Sequence, residues 1–87
     1  MNLIRLTELM QGEEATLAGF SEEDDFSMRL RDLGMNDGVL LRVIKYAPLG
    51  DPVQVRLRGF DLSIQRSVAE KILVQKKVGA KVETKGF

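Results

Sequence analysis

The stretch Phe26–Gly38, FSMRLRDLGMNDG, carries the signals on which the fold depends. Phe26, Leu30 and Leu33 recur at i, i+4 and i+7, so they share one face of a helix; Ser27, Arg29, Arg31 and Asp32 fall mostly off it. Gly34 stands just past the last apolar position, where helices often end in a left-handed residue. Asp37-Gly38 then turns the chain into the apolar run Val39–Ile44. Glu22, Glu23, Asp24 and Asp25 lie on the upstream side and the arginines lie in the body, an order that suits the helix dipole. The expectation is one helix, docked through Phe26, Leu30 and Leu33, in a domain otherwise built of β-structure.

Upstream, Thr7 offers an N-cap for a short turn closed by Gly12, with Leu3, Leu6 and Leu9 spaced to lay one edge on the core. Ala15–Phe20 reads as a strand whose small residues point to tight packing or a bend. Ser21 is one candidate cap for the helix; the other reading has 21–24 as loop and the helix starting near Asp25.

Downstream, Val39–Tyr46 is apolar on both sides and reads as a strand that is either central in the sheet or wraps a closed barrel. Ala47-Pro48-Leu49-Gly50-Asp51-Pro52 interrupts it, because two prolines and a glycine cannot continue a ladder. Val53, Val55 and Leu57 alternate with Gln54, Arg56 and Arg58; a reversal at Gly59-Phe60-Asp61 leads into Leu62–Gln65 as the returning strand. Ser67-Val68-Ala69-Glu70 has the S-x-x-E form of a capping box, and Ile72–Val74 gives a last strand. Five short strands and one inserted helix predict a mainly β fold, a small SH3-like antiparallel barrel. Gly34, Gly38 and Gly59 are its expected structural turns. The expected organisation is one domain over 1–75 and a polar, lysine-rich tail over 76–87, frayed or pairing as a weak extra strand through VGAKVET.

With 87 residues the chain holds a single modest core and little room for a deep active-site cavity. It has no Cys and no His, which removes thiolate and imidazole ligands and the commonest general base. No stretch is long and apolar enough to span a membrane, and MNLIRLTEL lacks a signal-peptide core, so a cytoplasmic protein is expected. Charge is uneven: residues 1–27 hold seven acids and one base, Arg5, while 28–87 hold twelve bases and six acids. No dense basic run accompanies this, so the favoured reading is that the two halves pack together and neutralise each other.

The string LGMNDG behind an arginine- and leucine-bearing helix, the following apolar strand, APLGDPVQVRLRGFDLSIQ and the closing AEKILV together resemble the FeoA family, the small ferrous iron transport protein A. The likeness runs over roughly residues 3–75. It departs at Asp37, where the family often has Pro, and at Gln65, where it often has Arg. The resemblance implies an SH3-like barrel with a helical insertion after the first strand. It also implies an accessory, non-enzymatic role beside FeoB, a membrane permease with a cytoplasmic GTPase domain, which would recruit the chain to the inner face of the membrane. Similar barrels form C-terminal domains of metal-dependent repressors, but this chain has no room for a helix-turn-helix before its barrel.

The residues themselves agree with a non-catalytic reading. There is no G-x-S-x-G and no P-loop, and Gly34–Gly38 is a G-x-x-x-G without the lysine. No cofactor is implied. Metal binding stays open only through Asp, Glu and backbone oxygens, which suit hard cations and hold ferrous iron weakly. A nucleic-acid or metal-responsive regulatory module is the alternative: Arg56 and Arg58 on one strand face, with Arg42, Lys45 and Arg66 near, supply charge but no aromatic stacking platform. The candidate partner-binding residues are Met35, Pro48, Leu49, Gly50, Asp51 and Pro52. Leu49 at the Pro-flanked tip either presents an apolar contact or folds back over the barrel end. Met35 either extends that patch or, like Met10 and Met28, fills the core.

Overall fold

The computed structural model describes residues 3–76. Strand β1 (Leu3–Arg5) leads through a 3₁₀ turn (Leu6–Glu8) to β2 (Glu14–Phe20). Helix α1 (Asp25–Asp32), β3 (Leu40–Tyr46), β4 (Val53–Leu57), β5 (Phe60–Ile64), the single-turn α2 (Arg66–Ala69) and β6 (Ile72–Lys76) follow. All pairings are antiparallel, and the strands form one sheet in the order β1-β6-β2-β3-β4-β5. Among the described residues there are thus six strands where five were expected, with β1 and β5 at the two edges of a sheet that does not close on itself. The added strand is β1, which pairs with the distant β6 and makes β6 central. Lys76 still belongs to β6; the tail residues 77–87 lie outside the described residues.

Period-two alternation puts Ala15 and Leu17, Leu41 and Val43, Val53, Val55 and Leu57, and Ile72 and Val74 on one face, where they form the core with Leu6, Leu9 and Met35. The bend expected in β2 is a register shift between Leu17 and Gly19 against β6. The β4–β5 reversal is tighter than the sequence suggests. Its two loop residues are Arg58 and Gly59, at φ +50° and +86°, the sign that a two-residue hairpin of type I′ requires at both positions.

Helix α1 is capped by Asp24, not Ser21. The Ser27 N–H donates to Asp24 Oδ1 (3.0 Å) and the Asp24 N–H donates to Ser27 Oγ (2.9 Å), a reciprocal capping box. At the other end Gly34, at φ +109°, sends its N–H to the Arg31 carbonyl (3.0 Å), and Met35 sends its own to Leu30 (2.9 Å). This paired pattern is a Schellman motif, which folds the residue after the glycine back toward the helix. The helix does not dock as its periodicity predicts. Leu30 packs partly against the core, Phe26 and Leu33 are each about half exposed, and the buried residue of α1 is Ser27. Two turns anchored at both ends by caps need no continuous apolar stripe.

The acidic and basic halves neutralise each other. Lys71 reaches Glu22 (3.1 Å) and Asp24 (3.3 Å), Arg31 reaches Glu23 (2.9 Å), and Lys76 reaches Glu13 (2.7 Å). The Ser27 N–H, and after it Lys71, holds the Asp24 carboxyl below its ordinary range; Arg31 does the same for Glu23. A depressed carboxyl contributes stability that is complete above the unfolded-chain pKa and is lost as pH falls through the folded one. Asp24→Asn keeps a capping side chain but removes this titration. We expect the variant's melting temperature to fall less than the parent's between neutral pH and about pH 3; equal losses would remove Asp24 from the acid response.

Candidate partner-binding site

The loop at 47–52 is fixed at its base and at its far end. The Ala47 N–H donates to the Pro52 carbonyl (3.0 Å), and the Gly50 N–H donates to the Ala47 carbonyl (2.7 Å), closing a turn with Pro48 and Leu49 at its centre. The Asp51–Pro52 peptide is cis. Asp51 Oδ1 accepts the N–H of Arg66 (3.0 Å), the first residue of α2. That contact corrects the reading of α2. Its N-cap position is Gln65, which makes no side-chain cap bond, and Ser67 lies inside the helical turn rather than capping it. The cap comes from the loop, across fifteen residues, so the loop and α2 are tied into one unit.

The stem is also held. The Tyr46 hydroxyl donates to the Leu9 carbonyl beside the 3₁₀ turn, and burial raises its pKa. Between these ties Leu49 is 95% exposed, and Pro48, Asp51 and Pro52 are exposed with it. Leu49 therefore points outward and does not cover the end of the sheet. Met35 is not part of this surface. As the residue that the Schellman motif turns inward, it is 0% exposed and belongs to the core, whereas Met10 and Met28, expected inside, are at the surface. The glycines expected in turns, Gly34, Gly38 and Gly59, all have φ near +90° to +110°.

The arginine face also differs from its sequence reading. Arg56 is on β4, but Arg58 is in the hairpin turn. Arg56 is held by Asp61 through Nε (2.7 Å) and Nη2 (3.3 Å), and Gln54 donates to the same carboxylate (2.8 Å). Asp61 is in consequence depressed by Arg56 first and Gln54 second. Arg66 pairs with Glu70 on α2 (3.4 Å). Sequence reasoning missed the Arg31 guanidinium over the Phe20 ring, 4.8 Å from its centroid, since nothing local signals that pair. It also missed a cleft of about 230 Å³ between α1 and the β5–α2 junction, lined by Phe26, Leu30, Leu33, Ile64 and Val68. Among the described residues no three acidic side chains converge as metal ligands, and no helix is long and apolar enough to cross a membrane.

Among the described residues, a six-stranded antiparallel sheet with a helix inserted between β2 and β3 and an apolar-tipped loop define a small SH3-like domain. The chain belongs to the FeoA family, whose FeoA domain matches residues 4–76. It resembles the solution structure of the FeoA protein from Chlorobium tepidum, with TM-score 0.82 and 38% identity over 87% of this chain and 72% of that one. It also resembles the zinc-complexed FeoA of Stenotrophomonas maltophilia, described as an SH3 domain protein, with TM-score 0.74 and 25% identity over 83% of this chain and 89% of that one. A curated relative, the Fe(2+) transport protein A/Fe(2+) transporter FeoB fusion protein of Porphyromonas gingivalis, is 33% identical over 72 residues. The match takes in 83% of this chain and 8% of the relative, so the chain corresponds to a small part of that protein. Transport of Fe(2+) is named for that relative, and ferrous iron transport for the Stenotrophomonas maltophilia protein.

Proposed function

We propose that this chain is a non-enzymatic accessory protein of ferrous iron uptake that docks onto a FeoB-type membrane permease from the cytoplasmic side, through the loop Pro48–Pro52. The observation that carries the proposal is Leu49, 95% exposed on a loop held in place by the Asp51–Arg66 bond. An apolar side chain on a loop already ordered loses little conformational entropy when a partner covers it. The choice of partner is supported by the Porphyromonas gingivalis relative, named as a fusion of the A and B proteins; joining two modules in one chain raises their effective concentration for each other. The lack of His and Cys supports the non-enzymatic part.

The test is direct binding of the 87-residue chain to the purified cytoplasmic domain of a FeoB-type permease from the same organism, by calorimetry at physiological salt. Saturable one-to-one binding in the micromolar range, about −8 kcal/mol, is expected. No heat and no co-migration up to about 1 mM, or about −4 kcal/mol, would reject the partner.

A further inference from the structure

A second surface lies at the other end of β4. Glu14, Arg42, Arg56 and Asp61 stand in one cross-strand row over β2, β3, β4 and β5, because the pairs Glu14–Arg42, Arg42–Arg56 and Arg56–Asp61 are in register. Two arginines directly opposite each other repel. Asp61 satisfies Arg56, but Arg42 makes no ion pair among the described residues, and neither does Arg58. These three arginines, with Glu14 at one side and Val39, Leu40 and Leu57 between them, line an open cleft of about 380 Å³. Leu40 is 41% exposed there.

Arg58 adds an independent sign. It occupies the left-handed turn position at φ +50°, where Gly, Asn or Asp is the unstrained choice and an arginine side chain is penalised. Its stem lies against Gly34: a Cβ built there would come within 3.3 Å of Arg58 Cδ, so the glycine leaves the space the side chain uses. A strained residue kept beside a like-charged, unpaired one points to a counter-charge supplied from outside.

We infer that this cleft binds an acidic, leucine-type segment of a protein partner, its carboxylates seated between Arg42 and Arg58 and an apolar side chain on Leu40. Arg56 already shows the geometry, holding a carboxylate through two nitrogens at 2.7 and 3.3 Å. The apolar floor suits a peptide side chain. No aromatic side chain lines the cleft, so a nucleic-acid base finds no stacking platform. The surface is separate from the Leu49 loop and does not depend on the docking proposed there.

The probe is an acetylated, amidated hexapeptide alternating leucine and glutamate, titrated into ¹⁵N-labelled chain and followed by amide shifts. Saturable shifts centred on Leu40–Arg42 and Arg56–Arg58 are expected. They should weaken at least about fivefold in Arg42→Gln and in Arg58→Gly, and again in high salt. Arg58→Gly relieves the turn and should melt no lower than the parent; if it does unfold, Arg42→Gln carries the test. Leu49→Asp should leave these shifts unchanged. The inference is overturned if the peptide produces no shifts, if a glutamine version binds as well, or if Arg42→Gln binds at parental strength. Stronger competition by inorganic phosphate or a short oligothymidylate would reassign the cleft to phosphate groups and overturn it equally.

Discussion

Met35→Ala is expected to destabilise the chain by about 2–5 kcal/mol, the range for truncating a buried Met or Leu. Small domains have roughly 5–15 kcal/mol in all, so the variant should be near its unfolding threshold at physiological temperature. Met35 is 0% exposed and follows Gly34 in the Schellman motif, with its N–H on the Leu30 carbonyl. The motif therefore positions the side chain that anchors the end of α1, and removing it leaves a cavity at the helix–sheet junction as well as losing contacts. Urea denaturation should show a lower midpoint at nearly constant slope. A parental midpoint would mean that Met35 is at the surface, and with it that α1 is held by other contacts.

The same residue shows which parts of the structure can be read from sequence. Helix α1 was legible because its signals are local: a 3.6-residue period, acids before it, a glycine after it. Its docking was not, because Phe26, Leu30 and Leu33 have the right spacing whether they meet the core or line a surface cleft, and the residue that turns inward lies beyond the helix. The hairpin and the interrupting loop were legible from alternation and from Pro48, Gly50 and Pro52. The cap of α2 was misread because S-x-x-E at Ser67 is a local pattern, whereas the real acceptor, Asp51, approaches from another element. Pairing of β1 with β6 was invisible for the same reason: three residues carry too little pattern to announce a partner about seventy positions away. Charge neutralisation was legible in sum, and the structure supplies the individual pairs through Lys71, Arg31 and Lys76. Of the candidate site, the loop residues stand together on one exposed unit and Met35 leaves it. Leu49's direction depended on the tether to Arg66, which no local signal encodes.

Leu49→Asp should leave the fold intact and lower affinity for a FeoB-type cytoplasmic domain at least about thirtyfold, the equivalent of about 2 kcal/mol. The two halves of this expectation have separate causes. At 95% exposure the native side chain makes almost no contact within the chain, and the loop's own bonds, Ala47 to Pro52, Gly50 to Ala47 and Arg66 to Asp51, are all made without it. A carboxylate at that tip is fully solvated in the free protein, so the melting temperature should move by little. In the complex the same carboxylate must lose water against whatever apolar surface receives Leu49, and an unpaired charge there is penalised far more than a lost methyl contact. Leu49→Ala should fall between the two, losing contact area without the charge. The measurements are thermal melting of each variant, affinity for the isolated cytoplasmic domain, and ferrous iron uptake in cells carrying each variant in place of the parent. Folded Leu49→Asp with parental affinity and uptake would remove the loop as a contact. Loss of folding would instead place Leu49 in packing that the exposed loop does not show. Weakened binding with retained folding, graded from alanine to aspartate, is the pattern that an apolar docking tip requires.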